Sequence, residues 1–149
     1  MAHDIDKRLD LKASVARVWK ALTDYREFGQ WFGVQLERPF EVGRIARGRI
    51  THPPGYEHLI LEATPVTMEP ERLFAFTWHP YAIDPAVDYS AEPQTRVEFR
   101  LEEIAGGTRL RITESGFDKI PAARRALALR MNDGGWAAQI KNIERHVAA

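Results

Sequence analysis

The chain has 149 residues, five His, no Cys, and 21 basic against 21 acidic side chains, so its formal net charge is zero. That length suits one core, and a composition 44% hydrophobic and 28% charged excludes disorder. Electroneutrality removes the basic footprint of a general nucleic-acid binder, and the missing Cys removes disulfides, thiolate metal sites and a cysteine nucleophile.

In chain order, residues 3–11 alternate. Ile5, Leu9 and Leu11 lie on one face and Asp4, Asp6, Arg8 and Asp10 on the other, the period of a half-buried strand. Ser14 stands where an N-cap belongs. Val15, Val18, Trp19 and Leu22 follow at helical spacing, which predicts a short amphipathic helix ending near Thr23-Asp24. Tyr25 to Phe32, aromatic-rich and interrupted by Gly29, reads as a second short helix or a tight connection. Strand candidates then follow at Val34–Phe40, Arg44–His52, Tyr56–Met68, Arg72–Trp78, Thr95–Leu101 and Thr108–Ser115. Pro53-Pro54-Gly55, Glu69-Pro70-Glu71 and Gly106-Gly107 punctuate them as turns, and Pro65 marks an edge or bulge.

Residues 122–147 carry no Pro and place Leu129, Trp136, Ile140, Ile143 and Val147 on a helical stripe. Gly134-Gly135 within it predicts a kink, a helix start or a close backbone approach. A curved antiparallel sheet, two short helices after its first strand and a long C-terminal α-helix assemble as an α+β helix-grip, one domain over residues 1–149. The opening residues 1–6 are polar and acidic, unlike a signal peptide, and no apolar run reaches the ~18 residues of a membrane span. The expectation is a cytoplasmic chain with no membrane insertion.

Ile5–Leu9, Ser14–Asp24 (SVARVWKALTD) and Trp31-Phe32-Gly33 resemble the opening of the activators of heat-shock-protein-90 ATPase homologues. These belong to the START-like, birch-pollen-allergen-like superfamily that also holds polyketide cyclases. Arg72–Trp78 (RLFAFTW), the hairpin Thr95–Leu101 with Gly106–Leu110 and Thr113–Phe117, and Gly135-Trp136 with Ile140 and Ile143 are similar to its later segments, over about residues 5–147. The resemblance implies a helix-grip cup whose cavity, in relatives, holds apolar or aromatic small molecules. It implies no transferable catalytic set. Its co-chaperone members add a separate N-terminal domain, for which 149 residues have no room, so a chaperone is not the expected partner; a homodimer is left open.

Candidate sites follow from residue chemistry. His52, His58 and His79 lack ligand spacing, and His3 and His146 lie near the termini, so neither a metal nor another cofactor is expected. Ser14 reads as a cap, Ser90 as a loop residue, and Ser115 lacks a nucleophile elbow. Glu114 shares strand parity with Leu110 and Ile112 and so points inward, with Arg47 or Arg49 as conceivable partners; if the strand ends or bulges there, it sits at the rim, and the rim is favoured. Trp31, Phe32, Trp78, Tyr81, Phe117 and Trp136 fall near element ends, where a helix-grip has the mouth of its cavity. With Glu114 and with Met131 of the C-terminal helix, they form the expected ligand-binding set. Residues 80–93 read as a lid or as a surface loop. The expected function is binding of a small apolar or aromatic molecule between sheet and helix. The alternatives are a cyclase- or hydrolase-like enzyme using Glu114, an Arg and Tyr81 or His79, and a chaperone-associated interaction module.

Overall fold

The computed structural model describes residues 4–52 and 54–148. His3 and Pro53, expected in the first strand and in a turn, lie outside the described residues. β1 (Ile5–Leu11) is followed by α1 (Val15–Thr23) and α2 (Tyr25–Phe32), then by β2 (Val34–Leu36), β3 (Ala46–Ile50), β4 (Ile60–Glu69), β5 (Leu73–Trp78), β6 (Thr95–Ile104), β7 (Gly107–Ser115) and α3 (Ala122–Ala148).

Local chemistry sets the boundaries. The Ser14 hydroxyl accepts from the Arg17 N–H at 3.1 Å and opens α1. Asp24 both ends α1 and caps α2, its Oδ1 accepting from the N–H groups of Arg26 and Glu27 at 2.9 and 3.2 Å. Gly33, at φ 92°, closes α2 in the left-handed conformation that glycine adopts without strain. β2 stops at Leu36, short of the expected Phe40, just ahead of Pro39, which has no N–H for a ladder. At Pro65 the β4–β5 register shifts, the bulge that the proline predicted.

All seven strands pair antiparallel in the order β1-β7-β6-β5-β4-β3-β2. The sheet's inner face is laid down in rows. Phe74 opposes Phe99, which opposes Ile112; one row along, Phe76, Val97, Glu114 and Ile5 stand side by side. α3 lies in this concavity with Ala128, Trp136, Ile143 and Val147 buried. Rings from α2, β5, β6 and α3 join in a continuous cluster: Phe28 on Trp31, Trp31 on Phe99, Phe99 on Trp136 and Trp136 on Trp78, with centroids 4.9–6.5 Å apart. Such pairs contribute roughly 0.5–1.5 kcal/mol each beyond area burial. Trp19, by contrast, packs against the core only partly buried.

α3 runs unbroken from Ala122 through Gly134-Gly135. A Cβ added at either glycine would meet nothing within 4 Å. The pair therefore marks neither a helix start nor a close approach; it faces open solvent.

Candidate functional site

Between the open end of the sheet, α3 and the 80–90 loop lies a cavity of about 580 Å³, inside the roughly 300–1,000 Å³ range of small-molecule sites. Its walls are aromatic (Phe32, Tyr56, Trp78, Tyr81, Tyr89) and aliphatic (among them Ile50, Leu61, Ile83 and Met131). Polar groups are fewer: His52, His79, Asp88, Ser90, Asn132 and Gln139 among them.

The 80–93 segment is a wall of this cavity, and α3 holds it there. The Arg124 guanidinium donates from Nη1 to the Pro80 carbonyl at 2.7 Å and from Nε to Glu92 Oε1 at 2.9 Å. It also lies 4.8 Å over the Tyr89 ring. Tyr81, within the segment, sits at φ 50°, a left-handed backbone that is uncommon for a bulky residue. At the opposite wall Gln139 Nε2 donates to the Phe32 carbonyl at 2.8 Å, tying α3 to α2. Hydrogen bonds from the Ser90 backbone and side chain hold the Asp88 carboxyl below its ordinary range.

Beneath the cavity lies a second arrangement. Glu114 is 0% exposed in an otherwise apolar row. Trp78 Nε1 donates to its Oε2 at 2.8 Å, the Thr95 hydroxyl to the same oxygen at 2.6 Å, and Trp136 Nε1 to Oε1 at 2.9 Å. Asn132 Nδ2 reaches both oxygens, at 3.2 and 3.1 Å. Among the described residues no basic side chain takes part. Four neutral donors from β5, β6 and α3 offset the desolvation of this carboxyl, which would otherwise be severe.

The rim placement of Glu114 is thus corrected. β7 continues regularly through Ser115, and the chain turns only at Gly116, φ 104°. Arg47 and Arg49 point outward; Arg47 pairs with Glu62 at 3.1 Å. The acid–base set built on Glu114 and an arginine is not assembled. Of the expected ligand-binding residues, Phe32, Trp78, Tyr81 and Met131 come together on the cavity wall. Trp31, Phe117 and Trp136 do not: each is buried in the core, with Trp31 Nε1 donating to the Ala21 carbonyl at 2.8 Å.

Sequence reasoning missed Asn132 and Gln139. Their signal was present: both lie with Ala128, Trp136 and Ile143 on the inward stripe of α3, where polar residues need a reason. Tyr89 sits in a stretch without a period, and Tyr56 was read into a strand that begins only at Ile60, so neither left such a trace. Among the described residues no group of three His, Asp or Glu is placed to hold a metal, and no helix is long and apolar enough to cross a membrane.

The model of one family, described as "Activator of Hsp90 ATPase homolog 1-like protein", matches residues 12–148. No curated protein matches the chain. Among solved structures, a protein of the dynemicin biosynthetic locus superposes with a TM-score of 0.72 at 23% identity, covering 97% of this chain and 47% of that one. This chain thus spans about half the length of that protein. A Mesorhizobium loti protein gives 0.75 at 20% identity, covering 97% of this chain and 96% of its own. The Aha1 dimer from Colwellia psychrerythraea gives 0.71 at 18%, covering 99% and 96%. At these identities the likeness is one of fold, the START-like helix-grip.

Proposed function

Since the chain belongs to the activator of Hsp90 ATPase homologue 1-like family, we propose that it binds a small apolar or aromatic molecule in the cavity between the sheet and α3. The observation that carries this reading is the cavity itself: about 580 Å³, walled by Phe32, Trp78, Tyr81 and Tyr89. Concave, largely apolar walls with few polar groups are what desolvate and orient such a ligand. Met131 adds a flexible thioether, 38% exposed and lying on the wall, a side chain that adapts to ring edges.

The test is uptake of the uncharged dye Nile red, and its displacement by apolar metabolites read in parallel by native mass spectrometry. Wild-type protein should take up the dye, and Met131→Trp, which fills the cavity from α3, should abolish uptake while leaving the fold intact. Absence of uptake by the wild type, or uptake unchanged in the filled variant, would overturn the reading.

A further inference from the structure

Asn132 stands on the inward stripe of α3 between Ala128 and Trp136, where Glu114 and the cavity meet. Its Nδ2 faces both oxygens of Glu114. Carboxylate oxygens accept hydrogen bonds, so this contact settles which end of the carboxamide is which. The nitrogen is committed to Glu114. The oxygen is turned the other way, and no described residue donates to it.

Several other polar groups of the wall also offer acceptors, alongside the hydroxyls of Tyr56, Tyr81 and Tyr89, which can donate or accept. His79 Nε2 lies 3.1 Å from the Glu92 carbonyl and His52 Nδ1 2.7 Å from the Thr51 carbonyl. A carbonyl only accepts, so each ring donates there, and in the neutral imidazole its other nitrogen is an acceptor. The Asp88 carboxylate adds negative charge at the loop wall, where it accepts from the Ser90 N–H at 3.0 Å. No Lys or Arg stands among the described residues that line the cavity. An anionic ligand would therefore be desolvated there without a counter-charge, which is costly.

We propose that the cavity selects an uncharged aromatic molecule bearing a hydroxyl or N–H donor, with Asn132 Oδ1 as the acceptor that reads the donor and Glu114 as the positioning residue that holds Asn132 in that orientation. This rests on the binding reading above and adds the chemistry of the ligand to it. Glu114 does not touch the ligand. It acts by keeping the carboxamide from turning over, while Trp78, whose indole N–H it also accepts, presents a fixed face to the ring.

The experiment compares three probes of like size and shape by isothermal titration calorimetry at neutral pH: 2-naphthol, 2-methoxynaphthalene and 2-naphthoate. Wild-type protein should bind the naphthol about tenfold more tightly than the methoxy compound, the worth of one hydrogen bond, and the carboxylate most weakly. Asn132→Leu should level the first two, whatever it does to their common affinity. Glu114→Gln should also reduce the naphthol-to-methoxy ratio, a readout that a merely structural role would not move selectively. Should that variant fail to fold, Asn132→Leu alone decides, since Asn132 is only half-buried. Equal binding of naphthol and methoxynaphthalene by the wild type, or a preference that survives Asn132→Leu, would overturn the selectivity while leaving the binding reading in place. Binding of none of the three would overturn both.

Discussion

At the scale of single residues, the glycines separate into those a side chain would help and those it would break. Gly134 and Gly135 lie mid-helix with open space where a Cβ would go. Gly134→Ala and Gly135→Ala should each stabilise by about 1 kcal/mol, chiefly by restricting the unfolded chain, and raise the melting temperature by roughly 2–4 °C. Gly29→Ala should do the reverse, because its Cβ would stand 2.3 Å from the Val34 carbonyl oxygen and force α2 off β2. Thermal melts of the three variants check both signs. In sequence the two kinds look alike, because what a glycine makes room for is set by the tertiary neighbour. The same holds for Glu114. Parity with Leu110 and Ile112 pointed it inward, but Trp78 lies 36 residues away and Thr95 19, and only the register of β5, β6 and β7 makes them its donors.

Among elements, the 80–93 segment is strapped to α3 by one side chain. Arg124 bonds to Pro80 and Glu92 and stacks on Tyr89, all across more than thirty residues of chain. Arg124→Ala should release that wall. Amide hydrogen exchange should rise within residues 80–93 while β6 and β7 keep their protection, and bound Nile red should dissociate faster. Uniform loss of protection would show instead that Arg124 supports the whole core. Elements with a strong period were legible in the sequence: β6 from Thr95, β7 and α1 were all expected where they stand. The end of β2 and the start of β4 were not, because Pro39 and the Pro54-Gly55 turn act on the ladder only once neighbouring strands are in place. The lining role of 80–93 was illegible for a related reason. A segment without repeating polarity is ordered by what reaches across to it, here a guanidinium from α3 and the His79 ring.

For the molecule as a whole, acid is the informative perturbation. Glu27 of α2 joins three helices: Arg17 Nη1 lies 2.7 Å away on α1, and His146 Nε2 2.9 Å away on α3. Burial alone would push the Glu27 carboxyl up; hydrogen bonds from His146 and Arg17, with the Arg17 charge, outweigh it and hold the group below its usual 4.5. Glu98, paired with Arg96 and Arg100 on the outer face, is lowered against burial in the same way. A carboxyl that is more acidic folded than unfolded contributes stability that is complete above its unfolded value. That contribution is lost as pH falls through the folded value. Urea midpoints should therefore hold from pH 7 to about 5 and decline below pH 4.5, and Glu27→Gln should flatten the decline while lowering stability at pH 7. The overall plan, a cup of strands around one long helix, was readable because alternation and helical stripe both survive in a single sequence; a cavity was expected only through the family resemblance, since it is the space those elements leave. One property of the plan bears on biosynthesis. β1 pairs with β7, and the Asp6–Arg111 ion pair joins residues 105 apart. A ribosome must deliver about a hundred further residues before β1 finds its sheet neighbour among the described strands, so β1 is held as an unpaired, half-apolar ribbon until β7 arrives. This sheet thus cannot close strand by strand in chain order, and through that interval β1 is open to mispairing with a second nascent copy.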